Sequence, residues 1–155
     1  MTEERVITVG IETPTANSVG ALLQGSEAFA LERYPADQTY LLPLSDLQAA
    51  NVTVWVARVD GAAAGMVAAV EHHEWVEVKR LFVDETARGL GLGRRLMEAV
   101  HAWARGRDVS TVRLETGPLN DAALHLYASM GYERTGPFGS YRCLPTSVFF
   151  ALTVE

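Results

Sequence analysis

The chain has a single cysteine, Cys143, and that scarcity removes two classes of protein at once. No internal disulfide can form, and no zinc site can be built on cysteines. Basic residues are also short, with 13 Lys and Arg against 19 Asp and Glu and a net charge of −6. Nucleic acid is a poor main partner for such a chain, because a phosphate backbone needs a basic field. The acidic balance suits a cationic substrate such as an amine, and equally suits plain solubility. No apolar run reaches the roughly 20 residues of a membrane span. Met1-Thr2-Glu3-Glu4-Arg5 lacks the pattern of a secretory leader, so a cytoplasmic protein without membrane contact is expected.

What is present fits one folded unit. The 155 residues are enough for a single domain with a full core, and 48% hydrophobic content is ordinary for a globular chain. No repeat, low-complexity stretch or linker divides it, so residues 1–155 read as one domain. The organising stretch is Arg88-Gly89-Leu90-Gly91-Leu92-Gly93. Before it, Val76 to Val83 alternates apolar and charged residues, a strand signal. After it, Leu92, Leu96, Met97, Val100, Trp103 and Ala104 recur at helical spacing. The glycines therefore sit where a strand turns into a helix. Their backbone freedom and the unpaired N–H groups of a first helical turn together make an anion site, suited to phosphate or pyrophosphate. No Lys-Ser or Lys-Thr follows, so this is not a P-loop, and the spacing is not the G-x-G-x-x-G of dinucleotide folds.

The rest reads in order. Arg5 to Ile11 alternates as a first strand. Thr13-Pro14 reads as an N-cap and first helical residue, with a helix to about Arg33 that Gly20 and Gly25 weaken. Ser45-Asp46-Leu47-Gln48 has the form of a capping box and suggests a short helix. Asn51 to Val59 and Ala62 to Glu71 are strands joined at Asp60-Gly61, a hairpin signal. With the strand ending at Val83 they form an antiparallel meander. Then come the long helix, a strand at Val109 to Glu115, a helix at Asn120 to Met130 and a short strand at Tyr132 to Thr135. A final strand, Ser147 to Val154, is expected at an edge where a second chain can pair, giving a homodimer.

The hexapeptide R-x-x-G-x-G resembles the pyrophosphate-binding signature of the GNAT superfamily of acyl-CoA N-acyltransferases. A second motif of that family, N-x-x-A-x-x-L-Y-x-x-x-G-[FY], is matched in register by Asn120, Ala123, Leu126, Tyr127, Gly131 and Tyr132. The C-terminal half is similar to a branch of small bacterial acetyltransferases. It carries that branch's Leu114-Glu115-Thr116-Gly117, Pro137-Phe138, Tyr141 and Pro145-Thr146-Ser147-Val148-Phe149. Some members are labelled by analogy with auxin metabolism, and that substrate label is not carried over.

The resemblance implies an α+β fold with a mixed central sheet of about six to seven strands flanked by about four helices. It implies acetyl-CoA as cosubstrate, held in a splayed opening between the strand ending at Val83 and the strand at Val112 to Glu115. Backbone of Leu81, Phe82 and Val83 would pair with the pantetheine arm as an added strand. Main chain from Arg88 through Gly89, Leu90, Gly91, Leu92 and Gly93, with Arg94, would hold the pyrophosphate. Asn120 would cap its helix and reach the pantetheine side. Asp84 departs from the family pattern, where proline is common.

Acetyl transfer to an amine needs a neutral nucleophile, whereas an alkylamine has a pKa near about 10. A carboxylate can take that proton directly or through water. Glu77 and Glu115 are the candidates. Glu77 is placed where some family members keep a base, and should share a face with Lys79, Leu81 and Val83. Glu115 ends the neighbouring strand, where relatives acting on protein N-termini keep theirs. Glu77 is the first choice, with Glu115 binding the substrate cation or a water. Either glutamate reads equally as a solvated or salt-bridged strand carboxylate. Tyr127 matches the family's general acid, although spacing alone reads it as a core residue on the helix's apolar face. The thioester oxyanion would meet a backbone N–H near Val83.

Tyr34, Gln38, Tyr40 and Tyr141 lie in two loops that border the acceptor pocket in this fold, and are candidates for substrate contact. His72-His73-Glu74 resembles a metal cluster, but adjacent strand side chains point to opposite faces, so no metal is expected. Cys143 has no partnered histidine and reads as a plain thiol. The expected activity is acetyl transfer from acetyl-CoA to a small-molecule primary amine, by direct transfer in a ternary complex. Acetylation of a protein N-terminus or lysine, and a catalytically silent acyl-CoA sensor, are the alternatives.

Overall fold

A computed structural model describes residues 4–34, 43–139, 141 and 147–154. Its elements run β1 (Ile7–Ile11), α1 (Ala16–Arg33), α2 (Leu44–Leu47), β2 (Val52–Val59), β3 (Ala62–Glu71), β4 (Val76–Val83), α3 (Leu92–Gly106), β5 (Thr111–Thr116), α4 (Asp121–Ser129), β6 (Glu133–Thr135) and β7 (Val148–Thr153). The order is the one the periodicity predicts. The described strands form one seven-stranded sheet in the order β1-β2-β3-β4-β5-β7-β6. Every neighbouring pair is antiparallel except β4 with β5. The fold is thus α+β with a mixed sheet and four helices among the described residues.

Two cores flank the sheet. On one face, Leu92, Leu96, Met97, Val100 and Ala104 of α3 and Tyr127 of α4 pack on Val67, Ala69, Val78, Val112 and Leu114. On the other, Val19, Leu22 and Leu23 of α1 and Leu47 of α2 pack on Val54, Val56, Met66 and Ala68. The β2–β3 turn holds Asp60 at φ 51° and Gly61 at φ 86°, both left-handed, as a two-residue hairpin demands.

Four local expectations change. The N-cap of α1 is Thr15, not Thr13. Its hydroxyl accepts from Ser18 N–H at 3.1 Å while Ser18 Oγ accepts from Thr15 N–H at 2.9 Å, a reciprocal box that Thr13 does not form. The box at Ser45 does not form either: α2 starts after Pro43 with no side-chain cap. Gly25 has a packing reason, since a Cβ there would meet the Phe82 ring at 3.0 Å. Finally, β7 is not an edge strand. It lies between β5 and β6, paired with β6 over Phe149–Ala151, and β1 and β6 form the edges. The reason offered for a homodimer is therefore gone.

The largest departure lies in β4. Ala68 pairs with Lys79 and Met66 with Phe82, so Val67 stands opposite both Arg80 and Leu81. This is a β-bulge, and Arg80 takes φ 57° to make it. One extra residue reverses the alternation. Glu77 and Lys79 face the α1 side, whereas Leu81 and Val83 pack on the α3 side. The single shared face expected for Glu77, Lys79, Leu81 and Val83 does not exist.

Candidate active site

The parallel pairing of β4 with β5 is brief. Val76 pairs with Val112, Glu77 with Arg113 and Val78 with Leu114, and the ladder then ends. Beyond it β4 runs to Val83 and β5 to Thr116 with no pairing to each other. A cleft of about 570 Å³ occupies the opening and reaches both faces of the sheet.

At one end lies the glycine loop. Gly89 has φ 87° and Gly91 φ 74°, and Gly91 is the N-cap of α3 with no side-chain cap. The first-turn N–H groups of Leu92, Gly93 and Arg94 have no intrahelical partner, which makes a nest for an anion. Arg88, Gly89, Gly91, Leu92, Gly93 and Arg94 line this end of the cleft. Leu90 does not: its side chain packs against the core. Arg94 is steadied by a 2.6 Å hydrogen bond to Ser129 Oγ. Leu81, Phe82 and Val83 form one wall. Asn120 lines the opposite wall and caps α4, its Oδ1 accepting from Ala123 N–H at 3.4 Å.

Tyr127 and Glu115 stand where the strands part. Tyr127 is 4% exposed, and burial raises its hydroxyl pKa, with the Glu115 charge adding to the rise. It stays protonated at any ordinary pH. Its ring meets Tyr132 and Phe150 at 5.6 and 6.1 Å, so the core-residue reading and the cleft-lining reading both hold. Glu115 also lines the cleft, and burial raises its carboxyl pKa. A hydrogen bond from Ser147 Oγ at 3.0 Å and the charge of Lys79 pull it down, and Glu77 pushes it up.

Glu77 is placed differently. It is 4% exposed and does not line the cleft. His72 Nε2 lies 3.1 Å from its Oε1, Lys79 Nζ lies 3.6 Å from its Oε2, and the Tyr141 hydroxyl donates to Oε2. It ties the β3–β4 turn, β4 and the segment before β7 together. His72 is stacked on Trp75 at 4.7 Å as well as bonded to Glu77, while His73 is exposed.

Tyr34 and Tyr141 both line the cleft. The Tyr34 hydroxyl accepts from Leu119 N–H at 2.7 Å, which ties the end of α1 to the β5–α4 loop. Gln38, Tyr40 and Cys143 lie outside the described residues. Three groups were not singled out from the sequence as site residues. Phe29, on α1, lines the cleft. Lys79 stands beside Glu77 and faces the opening. Ser147, known only as part of a motif, holds Glu115.

A brief parallel ladder that opens beside an anion nest defines a class: transferases that lay a phosphate-bearing acyl donor between two strands. Residues 21–132 match the acetyltransferase (GNAT) family, and the chain belongs to it. It is 36% identical to an IAA acetyltransferase of Azospirillum brasilense over 92% of this chain and 95% of that protein. The structure is similar to that of a Klebsiella pneumoniae protein classed as an acyl-CoA N-acyltransferase. The TM-score is 0.81 at 33% identity, covering 96% of this chain and 98% of that one. The PaiA N-acetyltransferase of Thermoplasma acidophilum, solved with coenzyme A, shares the fold at TM-score 0.73 and 12% identity, over 94% and 99% of the two chains. The protein is an acetyl-CoA-dependent acyltransferase. Among its described residues no helix is long and apolar enough to cross a membrane.

Proposed function

We propose that this protein transfers an acetyl group from acetyl-CoA to the primary amine of a small molecule, directly, in a ternary complex. The observation that carries the reading is the opening between β4 and β5, which puts the anion nest at one end and Glu115 with Tyr127 at the other. The pyrophosphate would rest on the first turn of α3 between Arg88 and Arg94. The pantetheine would lie along Leu81 to Val83, where β4 has no ladder partner on the β5 side.

Glu115 is the base in this proposal, in place of Glu77. It faces the cleft, and its raised pKa suits a proton acceptor near neutral pH. Glu77 is enclosed by His72, Lys79 and Tyr141 and has no open side to the cleft. Glu115 takes the ammonium proton, the neutral nitrogen attacks the thioester carbon to give a tetrahedral oxyanion, and the C–S bond breaks as the carbonyl re-forms. The departing thiolate takes a proton from the Tyr127 hydroxyl, which regains one from the acylated nitrogen, so the amide and the thiol both leave neutral. Backbone N–H near Val83 steadies the oxyanion.

The narrowing of the cleft by Tyr34 supports a small acceptor over a protein chain. Tyr34 bridges the two walls through Leu119 N–H, and a Cβ at Gly117 would lie 2.0 Å from its hydroxyl. The acceptor in the Azospirillum relative's name is not carried to this protein. The test is calorimetric titration with acetyl-CoA, then thiol release on a panel of amines. Binding with turnover of small amines is expected. No binding of acetyl-CoA refutes the reading, and binding with turnover only of peptides refutes the small acceptor.

A further inference from the structure

Given the reading of this cleft as an N-acetyltransferase site, the acceptor itself can be narrowed. Lys79 is the only lysine among the chain's 13 basic residues. It stands one residue before the bulge, on the α1 face of the sheet. Glu77 pairs with Arg113 and Val78 with Leu114, and the ladder stops there, so Lys79 and Glu115 are the first residues past its end on the two strands. An ammonium and a carboxylate thus flank the mouth of the opening from its two sides, and both line the cleft.

The two charges do not form an ion pair with each other. Glu115 accepts from Ser147 on its own side. Lys79 leans toward Glu77 at 3.6 Å and toward the Tyr141 ring, whose centre is 5.0 Å away. That ion pair is too long to be a hydrogen bond, and among the described residues the Lys79 ammonium makes none. With no hydrogen bond to hold it, the ammonium can turn its donors to an oxygen anion in the cleft while staying beside Glu77. Two rings of the cleft lining stand beside this charged pair: Tyr141, centred 5.0 Å from the Lys79 ammonium, and Tyr34, close enough to feel the Glu115 charge.

We propose that the acceptor is an aromatic α-amino acid, its amine at Glu115, its carboxylate at Lys79 and its ring against Tyr34 and Tyr141. An α-amino acid carries an ammonium and a carboxylate on one carbon, the complement of this pair. A plain amine brings nothing for the Lys79 donors once water is excluded, and a site built to bond a group rejects analogues that lack it. The rings supply apolar area that a small amino acid cannot use.

The test compares L-phenylalanine, phenylalaninamide, phenethylamine and L-alanine as acceptors with saturating acetyl-CoA. Phenylalanine is expected to exceed each of the others at least tenfold in kcat/KM. In Lys79→Met the ratio of phenylalanine to phenethylamine should fall toward one, through KM for phenylalanine. Taking the ratio cancels any general loss from disturbing Glu77, and the wild-type ratios decide even if that variant is unstable. Turnover of amines without preference for the carboxylate overturns the inference and leaves acetyl transfer standing. Equal use of alanine overturns the aromatic part. An unchanged ratio in folded Lys79→Met removes the lysine's role. No turnover of any small amine refutes the proposed function, and this inference with it.

Discussion

Replacing Glu115 by glutamine separates a base from a merely structural carboxylate. Glutamine is nearly isosteric, and its carbonyl can still accept from Ser147 Oγ, so the wall of the cleft should stay in place. What is lost is the proton acceptor. An alkylamine with a pKa of about 10.4 is neutral in only about one molecule in 2500 at pH 7. Without a base, only that fraction can react. The expected loss in kcat/KM at pH 7 is therefore about 10³-fold, within the 10²–10⁴ typical of general base catalysis. The size of the deficit should depend on pH. Each unit toward pH 10 raises the neutral fraction about tenfold, and the variant should regain that factor over the wild type. The wild type should lose activity as pH falls through the Glu115 pKa, which burial holds above the usual carboxylate range, and the variant should lack that limb. The assay is thiol release with one amine from pH 6 to pH 10. A deficit that stays constant across this range refutes the base role, because a structural defect does not follow amine ionisation. No deficit at all refutes it outright.

Three further outcomes are expected. Tyr127→Phe should lower kcat by about 10²-fold while leaving acetyl-CoA affinity within twofold, measured by steady-state kinetics and calorimetry; unchanged kcat would remove the acid role. Gly91→Glu should abolish acetyl-CoA binding, since it puts a side chain and a negative charge at a left-handed N-cap facing the anion nest; retained affinity would overturn the nest. His101 is buried against Tyr132, its Nε2 2.7 Å from the hydroxyl, and burial lowers its pKa from 6.5 to about 4. The unfolded chain takes up that proton first, so stability is full above about pH 6.5 and falls by about 3 kcal/mol as pH drops to 4. In His101→Gln that part of the pH profile should flatten in urea unfolding, and an unaltered profile would show that another group controls it.

The sequence makes some of this legible and hides the rest for identifiable reasons. The hairpin at Asp60-Gly61 is plain because both residues tolerate the left-handed backbone it needs. The glycine loop is plain because it combines a strand end, two left-handed glycines and a helix start within a few residues. The bulge is invisible for the opposite reason. Its positive φ falls on Arg80, a residue with no preference for that region. A period-two reading therefore ran unbroken through β4 and put Glu77 and Lys79 on the face of Leu81 and Val83. Strand order is hidden as well. β6 has three residues, all exposed, and nothing in them announces that they cover β7. Phe29 shows a third kind of blindness. An apolar residue on the inner side of a helix looks the same whether it meets core or cleft.

The bulge divides β4 into two stretches that face opposite ways. Up to Lys79, β4 is held by β5 and turns its odd-numbered side chains toward α1. After Arg80 the parity is reversed and the ladder with β5 has ended, so Leu81 and Val83 turn toward α3. Their main chain borders a gap instead of a strand. A left-handed arginine costs about 1–2 kcal/mol, and something must hold it there. The Arg80 side chain is 2% exposed, bonded to Ser26 Oγ at 3.2 Å and to Glu27 Oε1 at 3.3 Å, both on α1. The residue that divides β4 in two is thus anchored to the helix whose Phe29 and Tyr34 form part of the cleft wall. The position of that wall and the place where the strands part are fixed by the same side chain.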